Sequence, residues 1–337
     1  MYFACPACGQ GDFGADRVLG IDGYLTAGAR RMACLAGVRE SFARAEALLA
    51  ELAGWSADDD TIRRLCHAEA ARARAWQAAE APAAGRFARA AGAAEVPIDA
   101  GKVNTEDGWR DVKAAVFARR PAGPPAEAAT WDERDLPAPT ARRVVAAVEE
   151  ASAFGERCGA EAGRLGLTDP SALSVLGDGA EWIWNLAGER FPGAREALDV
   201  YHAAEHIAGA AKRVFGEGTA EARVQGERGR DRLLADGYWG VTEWVGEAAA
   251  ALPPGGAGAA LGPLLNYFAG HQGRINYAAR RRRGEPIGSG LVEGSIKQLL
   301  NRRLKQTGAR WKADHVGRFV ELGALADSPE WDAFWKN

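Results

Sequence analysis

The chain has 337 residues, 47% of them hydrophobic and 26% charged, with a formal net charge of −3. That is enough apolar chain for one large or two ordinary domains to bury a core without disulfide or metal staples. No run approaches the about 18 apolar residues of a membrane span, and the five scattered cysteines do not form a secreted disulfide framework, so a cytoplasmic protein is expected.

Residues 1–22 open with "CPACG", which reads as half of a zinc ribbon. Cys5 and Cys8 supply two thiolates where a structural site takes four. Cys34, Cys66 and His67 are the residues available to complete it, and zinc is not expected here. Met1 precedes "YFACPACG" and no charged-then-apolar leader is legible.

Residues 23–92 repeat apolar positions at spacings of three and four, with "SADDD" as a cap and acidic first turn, and are expected to be helical and a candidate DNA-binding region. "APAAGRFARAAGA" reads as a small-residue break. Residues 93–207 change texture: "EVPIDAGKV" and "GWRDVKAAVFAR" are β-branched runs around the turn residues "NTEDG". After a Pro-rich loop, Thr140 to Leu165 reads as one long amphipathic helix, "ALSVLGDGA" as a strand and turn, "EWIWNLAGERFPG" as a short helix, and "AREALDVYH" as a strand running into a helix. Alternating strands and helices predict a mixed α/β sheet. Residues 208–285 carry no strand signal and read as an all-helical insertion; residues 286–337 return with a glycine-rich turn feeding a basic amphipathic helix. Trp182 and Trp184 read as core, and Gly288 and Gly290 as turn residues.

Charge is uneven along the chain. From Arg274 to Lys312 eleven Lys and Arg stand against Glu285 and Glu293, a net +9, and the remainder carries −12. A block this dense predicts phosphate contact, with Arg280, Arg281, Arg282, Arg283, Lys297, Arg302, Arg303, Lys305 and Trp311 as the candidate DNA-binding residues.

Three carboxylates fall at element boundaries: Asp99 at the end of the first core strand, Asp178 in "LGDGA", and Glu293 at the start of the basic helix. Strand ends converge at one edge of an α/β sheet. Acidic groups held together favour a hard cation such as Mg²⁺ or Mn²⁺, and two ions about 3.5 to 4 Å apart suit phosphodiester chemistry. "VYHAAEH" offers a competing motif, H-x-x-E-H, in which His202 and His206 share a helix face with Glu205 beside them, as in a zinc metallopeptidase.

Most of the chain resembles the bacterial insertion-sequence DDE transposases of the ISKra-four group. The resemblance rests on "CPACGQGDFGADRVLGIDG", "SFARAEALLAELAG", "GWRDVKAAVF", "LGDGAEWIWNLAGERFPGAREALDVYHAAEHI" and "IGSGLVEGSIKQLLNRRLKQTGARW". It implies an RNase H-like core with a helical insertion between the second Asp and the Glu, here 115 positions apart. It also implies a Mg²⁺- or Mn²⁺-binding catalytic triad at Asp99, Asp178 and Glu293; neighbouring families such as the Mutator-like elements place a D-x-x-H after a strand next to the active site, and Asp199 with His202 would occupy it as supporting residues. The activity implied is cleavage and strand transfer at transposon ends, with double-stranded DNA as partner, at least a dimer on DNA, and a nucleoid-associated location. Where relatives commonly carry Asp-Gly at the first catalytic position, this chain reads "IDAGKV". The rival expectations are a transposase-derived DNA-binding protein without catalysis, and the zinc peptidase.

Overall fold

The computed structural model describes every residue except Met1, Cys5, Gly9, Gln10, Asp22, Gly23, Glu80, Ala81 and Asn337. The first elements are small: β1 (Tyr2–Ala4) pairs antiparallel with β2 (Gly11–Phe13), and α1 (Gly14–Leu19) follows. Four helices come next, α2 (Ala27–Arg39), α3 (Phe42–Ala53), α4 (Asp59–Ala79) and α5 (Pro82–Arg89). Their starts are written in side chains: Thr26 accepts from the Ala29 amide at 3.1 Å, Ser41 from Arg44 at 3.3 Å and Asp58 from Thr61 at 2.8 Å. The expected break at "APAAGRFARAAGA" is instead α5, because Ala83 and Phe87 share one buried face.

The centre is a five-stranded mixed sheet of β3 (Ala93–Thr105), β4 (Gly108–Arg120), β5 (Ala141–Ala147), β6 (Leu173–Gly177) and β7 (Arg195–Leu198), in the order β5-β4-β3-β6-β7. Only β4 runs against the others. The β3–β4 hairpin turns at Glu106 and Asp107, where Gly108 takes φ 97° and Thr105 donates its hydroxyl to the Gly108 carbonyl at 2.6 Å. Along β4 the side chains alternate: Val112, Ala114 and Val116 enter one layer, Ala115 and Phe117 the other.

Residues Thr140–Leu165 are not one helix. They divide into β5 and α6 (Ala151–Arg164), and Arg143 of β5 is buried against Glu161 of α6 at 2.9 Å. "ARRVVAAV" fits either period, and pairing with β4 decides in favour of the strand, since both its faces find apolar cover. The helices α7 (Glu181–Arg190) and α8 (Val200–Phe215) flank β7; then come α9 (Ala220–Asp236), α10 (Tyr238–Ala249), α11 (Ala257–Gly270) and α12 (Tyr277–Arg282). These pack with α6 on one side of the sheet, where Phe87, Phe117 and Phe154 are fully buried and contribute about 1.5 to 3 kcal/mol each.

The C-terminal part also departs from expectation. The basic helix is short: α13 (Gly290–Ile296) passes into a π-helical turn at Lys297–Asn301, the chain is irregular to Lys312, and α14 (Ala313–Ala326) and α15 (Trp331–Lys336) close the molecule. Leu299, Leu300 and Leu304 are all buried, and the wide turn keeps them on the protein side. α13 and α14 share one core cluster with α2, α3, α4 and the second face of the sheet. Ion pairs Arg39–Asp327 at 2.7 Å, Arg74–Glu321 at 2.5 Å and Arg86–Glu330 at 2.8 Å fasten the N-terminal helices to this C-terminal part. Among the described residues no helix is long and apolar enough to cross a membrane.

Candidate active site at the carboxyl ends of the parallel strands

Asp99 is not at the end of β3 but in its middle. It does stand where the parallel pairing stops: the β3–β6 register ends at Pro97↔Leu176, and two steps further it sets Asp99 opposite Asp178. The β6–β7 register ends at Gly177↔Leu198, and one further step sets Asp178 beside Asp199, whose amide donates to the Gly177 carbonyl at 2.7 Å. Three aspartates thus lie in one row across three adjacent strands.

Each is held differently. Asp178 accepts from the Ala180 amide at 2.9 Å, and Gly179 takes φ 104° in a turn where an added Cβ would stand 2.8 Å from the Tyr267 hydroxyl. Asp199 is fully buried: one oxygen caps α8 through the Tyr201 and His202 amides at 2.8 and 3.0 Å, and the other takes the Ser289 amide and hydroxyl at 2.6 and 2.9 Å. Asp199 therefore braces the site and does not present a carboxylate to it. Ser289 in turn reaches the Glu293 carboxylate at 2.7 Å. Its single hydroxyl proton cannot serve both carboxylates at once, so the proton is shared between a buried brace and an exposed glutamate.

Burial pushes the Asp99 carboxyl up to about 6; the Asp178 and Glu293 charges add to the rise, while the Ala100 amide and His202 oppose it. Asp99, Asp178, Glu293 and His202 consequently belong to one electrostatic neighbourhood. Burial, followed by the charges of Asp178 and Asp199, raises the Tyr267 phenol to about 12. Tyr267 stacks on His206 with ring centres 3.8 Å apart, and its buried hydroxyl has no hydrogen-bond partner. Among the described residues no three His, Cys, Asp or Glu side chains are grouped to hold a metal ion.

No protein-family model and no curated protein matches this chain.

The H-x-x-E-H residues do not assemble as a zinc site. His206 is occupied by Tyr267, burial lowers its pKa, and His202 lies 3.9 Å from Glu205 with no third ligand grouped nearby among the described residues. Of the N-terminal pair, Cys5 lies outside the described residues and Cys8 is exposed. Cys34 and Cys66 are buried core residues, with the Cys66 thiol 4.0 Å from the Cys34 carbonyl and the Cys34 thiol pushed well up by burial.

The basic block divides. Arg280, Arg281 and Arg303 are buried and do not face solvent: Arg280 donates to the Pro286 carbonyl at 2.9 Å, and Arg281 to Ala126 and Leu234 at 2.8 and 2.9 Å. Arg303 donates to Gly37 at 3.0 Å and lies over the rings of Phe42 and Phe319, both at 4.6 Å. Trp311 donates to the Leu304 carbonyl at 3.0 Å and bridges to Thr105, pinning the irregular segment to the β3–β4 turn. Arg282, Arg283, Lys297, Arg302 and Lys305 are exposed, as are Arg310 and Lys312. Trp184 is core; Trp182 packs against Phe154 and below Lys113, which donates to the Glu149 carbonyl at 2.7 Å.

Sequence reasoning missed Ser289, Tyr267 and Tyr201. Tyr201 is 54% exposed, packs against Trp131 with centres 5.3 Å apart, and stands where Gly288 passes: a Cβ there would be 3.4 Å from the tyrosine ring. It also borders a groove of about 710 Å³ between α8 and α9. Its position two residues after Asp199 was the available signal.

Proposed function

We propose that the chain is a DDE-type transposase of the ISKra-four kind, built on an RNase H-like core, that cleaves DNA at transposon ends and joins the freed 3′ hydroxyl to a target strand. The observation that carries this reading is the row of Asp99, Asp178 and Asp199 where the parallel pairing of adjacent strands stops, with Glu293 tied to the last of them through Ser289. The strand order, with only the second core strand reversed, supports the core assignment.

The donor chemistry suits a hard divalent cation, although the three side chains as they stand are not drawn together around one point: Asp99, Asp178 and Glu293 offer only oxygen, and their mutual repulsion is part of what raises Asp99. These three residues would hold Mg²⁺ or Mn²⁺, which supplies charge neutralisation at the scissile phosphate when bound. The chain's own residues do the rest. Asp199 and Ser289 fix where Glu293 stands; Tyr201 offers an exposed ring beside the carboxylates on which a base can stack. Exposed Lys297, Arg302, Lys305, Arg310 and Lys312 follow Glu293 along the chain and supply backbone phosphate contacts. In each step an oxygen nucleophile, water and then the 3′ hydroxyl, forms a bond to phosphorus as the opposite P–O bond breaks. Joining two ends requires at least two copies on DNA.

The test is Mg²⁺-dependent nicking of DNA carrying the matched terminal repeats. Nicking by the intact chain, abolished in Asp178→Ala while DNA binding survives, supports the reading. No nicking in Mg²⁺ or Mn²⁺, or nicking untouched by Asp178→Ala, overturns it. The engagement of Glu293 by Ser289 favours one second reading, a transposase-derived protein that binds DNA without cutting it. Repeat-specific binding with no nicking would select that reading.

A further inference from the structure

A second polar recess lies at the opposite end of β7 from the carboxylates. Arg195 opens the strand, and Asp199 stands four positions further on, about 13 Å of strand away. The recess has a volume of about 500 Å³ and is bordered by Arg195, Glu196, Arg274, Asn276, Arg280 and Arg283. That is ample room for a hydrated polyvalent anion.

Its charge is not balanced from within. One carboxylate, Glu285, serves three guanidiniums: Arg195 at 2.6 Å, Arg283 at 2.9 Å and Arg280 at 3.8 Å. Glu196 serves Arg274 at 2.6 Å. Four cations against two carboxylates leave an excess of two positive charges. Arg280 is 4% exposed, and its Nη2 is buried with no hydrogen-bond partner; the Nε of Arg195 is also buried and unpaired. Unpaired buried donors on charged groups are costly, and four guanidiniums around one recess repel each other unless an anion enters.

We propose that this recess binds a phosphate-class anion. Guanidinium forks match tetrahedral phosphate oxygens, and the excess of two charges matches a phosphate dianion or two adjacent phosphodiesters, where a single carboxylate would neutralise only one. Burial lowers the Arg280 pKa to about 10, and the neighbouring Arg195 and Arg283 oppose the rise that Glu285 provides, a repulsion that the anion relieves. The site is separate from the carboxylate row and does not require strand cleavage.

The test is calorimetric titration of the full chain at fixed ionic strength with pyrophosphate and, separately, with a short DNA duplex. Two variants are compared, Arg280→Gln and the double variant Arg274→Gln/Arg283→Gln. The double variant alters partly exposed residues and decides the matter if Arg280→Gln does not fold. Saturable pyrophosphate binding, weakened about tenfold or more in the variants and unchanged in Asp178→Ala, is expected. Duplex binding weakened in parallel identifies the source as a nucleic-acid backbone; duplex binding left unchanged identifies a free phosphate compound. If neither titrant is weakened by the variants, or neither binds at millimolar concentration, the proposal is overturned.

Discussion

Replacing Asp99 by Asn should stabilise the protein at alkaline pH while removing a residue that the proposed reaction needs. Asp99 rises from an ordinary 3.8 to about 6 on folding, first because it is buried and then because Asp178 and Glu293 face it. A carboxyl whose folded pKa is raised contributes stability that is fully present below about 3.8 and is lost as pH climbs through about 6. At about 1.4 kcal/mol per pH unit, the loss is about 3 kcal/mol once the group is ionised in both states. Asn keeps the oxygen that accepts from the Ala100 amide at 2.6 Å and carries no charge. Urea denaturation without divalent cations should therefore find Asp99→Asn more stable by about 2 to 3 kcal/mol at pH 8, with the difference shrinking toward zero near pH 4. Mg²⁺ or Mn²⁺ should recover much of that difference in the unmodified chain and do little for the variant. A variant less stable at pH 8, or a difference independent of pH, would refute the account of Asp99 as a strained member of a carboxylate group.

Two further substitutions separate bracing from binding. Ser289→Ala removes the hydroxyl between Asp199 and Glu293 but keeps the amide bond to Asp199, and should cost about 1 to 3 kcal/mol of unfolding free energy; a cost indistinguishable from zero would show that the bridge holds nothing. Arg303→Ala should destabilise the chain by about 2 to 4 kcal/mol, since it deletes a buried donor and a cation packed on two phenylalanine rings, and should leave the salt dependence of DNA binding alone. Arg302→Ala/Lys305→Ala should do the reverse, reducing the slope of log K against log salt by about 1.8 with stability unchanged. The opposite pattern in that pair of measurements would place Arg303 on the DNA.

What the residues disclosed in advance depended on how local the deciding contact is. The β3–β4 hairpin was legible because alternation along "GWRDVKAAVFAR" and the turn residues before it are both local signals. β5 was not, because "ARRVVAAV" suits a helix equally until Arg143 meets Glu161 and Val144 meets the opposing layer, and neither partner is adjacent in sequence. Asp99, Asp178 and Glu293 stood out as carboxylates at element boundaries, whereas the row that Asp99 and Asp178 form with Asp199 exists only through strand register. Charge counting failed for a related reason. Arg280, Arg281 and Arg303 add to the same run as Lys297 and Arg302, but main-chain carbonyls have taken them out of solvent, those of the distant Leu234 and Gly37 for Arg281 and Arg303 and that of Pro286, six residues on, for Arg280, and no local pattern announces a carbonyl.

The same long-range logic explains how a helix of only seven residues can fix the position of Glu293. α13 is too short to be stable alone, so Glu293 must be positioned by its attachments. The segment leading into it runs alongside β7: Glu285 is clamped by Arg195 at one end, the Ile287 carbonyl accepts from Val200 at 3.0 Å, and Ser289 is held by Asp199 at the other. Beyond Glu293 the chain crosses β3 at Gly101, where an added Cβ would lie 2.7 Å from Leu300 and 3.1 Å from Ile296. The glycine of "IDAGKV" therefore has its own function two residues after Asp99: it gives the Glu293 segment room to lie on the strand that carries the first aspartate, and so brings the two carboxylates into one electrostatic neighbourhood.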